Sequence, residues 1–115
     1  MFKWGGTDHE SGTVTISANN TKVTTGCKPK TLLLLARTAN NKYCLSYYNE
    51  DVDATTQITV SRNGTSISSS TISVPPPSWN NPVIYSIDDD GFTINKANST
   101  AQTTFGTSCY YECSY

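Results

Sequence analysis

Apolar positions along this chain recur at every second residue rather than every third or fourth. From Gly12 to Ala18, Val14, Ile16 and Ala18 share one face, and Thr21 to Thr25 points Val23 inward. Such alternation predicts β-strands, because successive strand side chains point to opposite faces. Asn19-Asn20 and Asn40-Asn41 read as turns between strands. Tyr43 to Tyr48 sorts Tyr43, Leu45 and Tyr47 onto one face and Cys44, Ser46 and Tyr48 onto the other. Tyr43, Tyr47 and the later Tyr85 are expected in the core. Thr31 to Arg37 breaks the alternation with four consecutive leucines. That pattern suits a central strand covered on both faces.

The clearest local signal is Asn63-Gly64 between the β-runs Gln57–Arg62 and Thr65–Ser68. Asn-Gly favours a two-residue type I′ hairpin, since both central residues need positive φ. In that register Val60 faces Ile67. Pro75-Pro76-Pro77 cannot sit inside a sheet and reads as a stiff crossover rather than a linker between domains. Val83 to Ile87 and Phe92 to Ile94 are strands around the turn Asp88-Asp89-Asp90-Gly91. Asn98 to Gly106 is a polar loop, and Ser108 to Tyr115 closes the sheet with Cys109, Tyr111 and Cys113 on one face. The whole predicts an all-β protein, an antiparallel, jelly-roll-like β-sandwich of eight or nine short strands. One domain is expected over residues 1–115, with 1–11 an N-terminal arm and 12–115 the sandwich.

Composition narrows the function classes. The net charge is −1 and only 15% of residues are charged, against the usual quarter. Ser, Thr and Asn fill more than a third of the chain. With no basic patch, phosphate-driven nucleic-acid binding is not expected. The longest apolar run, Leu32 to Ala36, is far short of the ~20 residues of a membrane span. No apolar signal-peptide core follows Met1, so synthesis in a cytosol without a secretion signal is expected. Cys27, Cys44, Cys109 and Cys113 allow three pairings. Cys109 and Cys113 would stand ~13 Å apart on one strand, too far to bond each other. Buried free thiols are one reading; disulfides from Cys27 or Cys44 to the C-terminal strand are the other. No zinc spacing is present.

Candidate chemistry is sparse, and neither an enzyme nor a cofactor is expected. A nucleophilic triad would have to use His9, the only histidine, which reads as part of a solvated loop. Glu50/Asp51/Asp53 and Asp88/Asp89/Asp90 are carboxylate clusters, but the second fails the EF-hand pattern at Ser86 and Ala97. It reads as a surface turn, with calcium in another geometry as the alternative. Aromatic side chains are the remaining recognition material, since Trp and Tyr give large rigid contact area. Trp79 and Tyr48, with Asn80 and Asp51 beside them, form the candidate ligand-binding set. A free-standing carbohydrate-binding module is one function these residues would serve.

The segment Val23-Thr24-Thr25-Gly26-Cys27-Lys28-Pro29-Lys30 followed by an apolar strand resembles a pattern of bacteriophage tail-fibre and minor tail proteins. Those read Thr-Gly-Phe-Lys-Pro-Lys before a hydrophobic strand, then an acidic turn with Gly-Phe-Thr, then an aromatic strand. Ile87-Asp88-Asp89-Asp90-Gly91-Phe92-Thr93 and Cys109-Tyr110-Tyr111 follow that order here. Cys27 replaces the usual Phe. The resemblance covers about residues 12 to 113. It implies structural roles for Gly26 and Pro29 at the corner, for Gly91 and Phe92 at the turn, and none for catalysis; Gly64 owes its structural role to the hairpin alone. It further implies a virion location and other virion proteins as partners. A homo-oligomeric, trimeric head that contacts a host-surface glycan is the assembly it suggests.

Overall fold

In a computed structural model, residues 8–16, 19–39, 41–77, 81–95 and 108–115 are described. The alternating segments form nine strands: β1 (His9–Thr15), β2 (Thr21–Thr24), β3 (Thr31–Ala39), β4 (Lys42–Asn49), β5 (Asp53–Asn63), β6 (Ser66–Ser73), β7 (Ile84–Asp88), β8 (Gly91–Ile94) and β9 (Ser108–Ser114). They make a six-stranded sheet in the order β1-β9-β3-β4-β5-β6 and a three-stranded sheet in the order β2-β8-β7. Every pairing is antiparallel. The expected β-sandwich is therefore what the chain forms. Early and late strands interleave in both sheets, as in a jelly roll, while β3 to β6 run on as a meander that widens the larger sheet.

The inner faces bury Leu32, Leu34, Ala36, Ile84, Phe92, Ile94 and Cys109 completely. The Phe92 ring meets Tyr111 edge-on across the two sheets, with centroids 5.2 Å apart. Tyr111 lies over Gly12, where a Cβ would come within 3.1 Å of the ring carbons. Its hydroxyl donates to Glu10 Oε2 at 3.0 Å. This contact belongs to a β1 that begins at His9, where the sequence placed the end of an arm at residue 11. The polar run His9-Glu10-Ser11 hid the strand, because its ladder to β9 needs backbone and not apolar side chains.

The corner from Thr25 to Lys30 carries the chain from the smaller sheet to the larger. Thr25 and Gly26 both donate their N–H to the Asp90 carbonyl, at 2.9 and 3.0 Å. Gly26 has φ +94°, which a side chain rarely tolerates. Pro29 is buried, and the flanking Lys30 N–H reaches Ser114 of β9 at 2.7 Å. Gly91 closes the other side of this junction. A Cβ there would lie 2.0 Å from the Val23 carbonyl oxygen, so only glycine fits between β2 and β8. Pro75–Pro77 stands between β6 in one sheet and β7 in the other, and residues on both sides of it share one core.

Further expectations are corrected, among them the core placement of Tyr85, which is 38% exposed. The β5–β6 turn centres on Gly64 and Thr65, with Asn63 still paired to Ser66. Gly64 alone has a positive φ, +62°, as in a type II′ turn rather than I′. Its N–H donates 2.7 Å to Asn41 in the neighbouring hairpin, and that bond sets the turn one residue later. Val60 then pairs with Ser69, and Ile67 with Arg62. The faces survive, because moving the turn by one residue moves partners by two. Second, among the described residues β3 is covered on one face only: Leu32 and Leu34 are buried, whereas Leu35 is 40% exposed. Third, β4 faces the other way from expectation. Tyr48 is in the core at 3% exposure, while Tyr43 and Tyr47 are half-buried on the outer face.

Candidate functional site

Of the four residues assigned to ligand binding, Trp79 and Asn80 lie outside the described residues, as do Trp4, Ala18 and the 98–106 loop. Tyr48 packs among Leu32, Leu34 and Phe92 in the core cluster, so its ring is not a surface platform. Its parity with Cys44 and Ser46 sends it inward with them. Asp51 is exposed on the β4–β5 turn, where its N–H caps onto Asn49 Oδ1 at 3.0 Å. Tyr48 and Asp51 therefore do not share a surface.

The acidic turn has an internal partner. Lys22 Nζ sits 2.7 Å from both Asp88 Oδ2 and Asp90 Oδ1. Thr93 and Ser86 hydroxyls each donate to Asp88 at 2.8 Å. Burial pushes the Asp88 carboxyl up, and the Lys22, Ser86 and Thr93 hydrogen bonds outweigh it, so its pKa lies below the ordinary value. The ammonium of β2 thus occupies the position a cation would take, and it staples β2 to the β7–β8 turn. Among the described residues no cluster of three or more His, Cys, Asp or Glu could hold a metal ion. His9 is exposed, with Nδ1 3.5 Å from Oδ1 of the still more exposed Asp8.

The four cysteines are free thiols and all are buried. Cys44 and Cys109 flank Ala36 from either side in the ladder. Two interstrand spacings separate them, ~9.6 Å, which is beyond disulfide reach. Burial pushes the Cys109 thiol up to about 12, and the Cys44 thiol up as well. Burial, with the Glu10 carboxylate beside it, also pushes the Tyr111 hydroxyl up to about 12. An acid with a raised folded pKa holds its proton longer in the native state, so stability falls as pH rises between the unfolded and folded values. For Cys109 the fall runs from pH 9 to about 12, at ~1.4 kcal/mol per pH unit. Urea midpoints are expected to be level up to pH 8 and to drop steadily above 9, less steeply in Cys109→Ala. Level midpoints through pH 11 would contradict the buried placement. A thiol reagent should label these cysteines only after denaturation.

The feature that sequence reasoning missed is the outer face of the larger sheet. Leu35, Leu45 and Val60 stand opposite one another across β3, β4 and β5, and Leu33, Tyr47 and Ile58 form the next row. Ile58 is 50% exposed and Ile67 70%. Arg37 and Arg62 flank Tyr43 in the row beyond, with the Arg62 guanidinium carbon 5.6 Å from the Tyr43 ring centre. Val52, on the β4–β5 turn, adds an exposed apolar side chain at the far end. The doubly apolar β3 was the available signal for this surface. An aromatic and aliphatic sheet face with charges at its ends can bind by contact area. No family model, no curated protein and no solved structure matches this chain.

Proposed function

We propose that this protein is a non-enzymatic structural component of a bacteriophage particle, a tail-fibre head or a decoration or fibre protein, working through surface contacts rather than turnover. One observation carries the reading: the two motifs of the tail-protein resemblance meet in space. The corner Thr25-Gly26 hangs on the carbonyl of Asp90, one residue before Gly91-Phe92-Thr93. Motifs more than 50 residues apart in sequence thereby build one junction, from which the chain crosses to the larger sheet. This supports the view that they form a structural unit rather than two chance matches. The open apolar face fits a protein whose work is to be packed against others.

The test is particle incorporation. Purified particles should contain the chain in stoichiometric amounts, and antiserum against it should label a fixed place on them. Absence from particles, together with no effect of the free protein on adsorption, would falsify the reading. Specific binding on a glycan array in the absence of particle incorporation would instead favour a carbohydrate-binding module.

A further inference from the structure

We propose that the open face of the larger sheet pairs with the same face of a second copy of this chain, about a two-fold axis lying across the strands. The six apolar side chains of its two central rows stand side by side in the ladder. That is a contiguous patch, unlike the single scattered apolar residues normal on a surface. Strand β3 makes the same demand. Leu32 to Ala36 is apolar at successive positions, as strands are when both faces are covered. Among the described residues only the inner face is covered.

Charge selects the occupant and its direction. Arg37 and Arg62 lie at one end of the patch. Glu112 pairs with Leu33 toward the other end, where the β4–β5 turn carries the exposed Asp51. A copy rotated about an axis perpendicular to the strands lays each cationic end over the partner's acidic end. A copy rotated about an axis along the strands lays arginine on arginine. The first arrangement is attractive at both ends and the second repulsive at both. Contact between two identical faces is isologous and closes at two copies, unlike a three-fold head. Six strands at ~4.8 Å spacing and ~20 Å of strand length give roughly 500 Å² in projection. That is below the ~800 Å² per partner of a standard stable interface, so a weak, reversible dimer is expected.

Self-association and particle incorporation are separate measurements, so this pairing stands or falls independently of the virion reading. Sedimentation equilibrium of the purified chain, from about 1 to 500 µM, should show a monomer–dimer equilibrium within that range. Leu35→Lys/Ile58→Lys, on exposed positions, should weaken it at least tenfold, because pairing would then bury four ammonium groups against the apolar rows of the two faces. Circular dichroism of the variants controls for folding. Arg62→Glu alone and Asp51→Arg alone should each weaken the dimer, and the double charge swap in one chain should restore it. A monomer throughout, a trimer, or a dimer indifferent to Leu35→Lys/Ile58→Lys overturns the proposal. Failure of the double swap to restore association overturns the two-fold direction on which it rests.

Discussion

Phe92→Ala is expected to remove about 3–5 kcal/mol of stability, the usual loss when a fully buried aromatic is truncated in a core. Phe92 is among the largest fully buried side chains in the described chain, and its ring contacts Tyr111 edge-on from the opposite sheet. Truncation removes the transfer free energy of the ring, leaves a cavity between the sheets, and breaks the aromatic contact. A domain with a total stability of ~5–15 kcal/mol would be left marginal. Urea unfolding followed by tyrosine fluorescence or circular dichroism measures the change. Phe92→Leu, which keeps most of the volume, should lose about half as much or less. A loss below about 1.5 kcal/mol in Phe92→Ala would mean that the site collapses freely, contrary to a packed inter-sheet core.

Gln57→Leu is expected to cost about 2–5 kcal/mol, although it replaces a polar side chain in the core by an apolar one of similar size. Gln57 is 1% exposed on the inner face of β5. Its Nε2 donates to the Ile84 carbonyl at 2.7 Å and to the Ser73 carbonyl at 3.2 Å. Its Oε1 accepts the Ile84 N–H at 2.9 Å. One amide thus satisfies both backbone groups of a fully buried residue on the other sheet. Leucine would leave them buried and without partners, each at about 1–3 kcal/mol. Gln57→Glu gives the diagnostic. As a carboxylate it can accept from Ile84 N–H but cannot donate to the carbonyls; protonated, it can do both. Its folded pKa should be raised, so its stability should rise as pH falls from 7 toward 4. Stability of Gln57→Glu that is independent of pH would show that the amide's donated bonds matter little.

Much of the strand content was legible because burial on one face of a strand writes a period of two into the sequence. The inner residues Val23, Cys109, Tyr111 and Cys113 follow from that alone. Gly91 could be placed at its turn, but the reason that only glycine fits there, the Val23 carbonyl oxygen 2.0 Å from where a Cβ would lie, is on a distant strand. Less legible were the things that depend on what lies across a gap. Tyr43 and Tyr47 versus Tyr48 is a choice between two faces, both aromatic, and alternation cannot say which one meets the second sheet. Trp79 and Asn80 remain outside the described residues, so only half of the proposed ligand set was placed, and Tyr48 fell in the core.

Gln57 and Lys22 teach the same lesson. Each looks like an ordinary polar strand residue in the sequence. Each takes its role from a backbone or a carboxylate 27 to 68 residues away. Hydrogen bonds of that separation leave no local pattern, since nothing adjacent in the chain has to match them.

The sequence by itself determined that this is an all-β chain of short strands, where most of its turns fall, and that leucines fill both sides of β3. These follow from side-chain direction and turn chemistry, which are local. Only the tertiary structure decided which sheet each strand joined, which face of β4 turned inward, and that one face of β3 is left open among the described residues. Those outcomes depend on backbone ladders and packing between distant segments, where the free energy of burial is shared by residues that the sequence keeps apart.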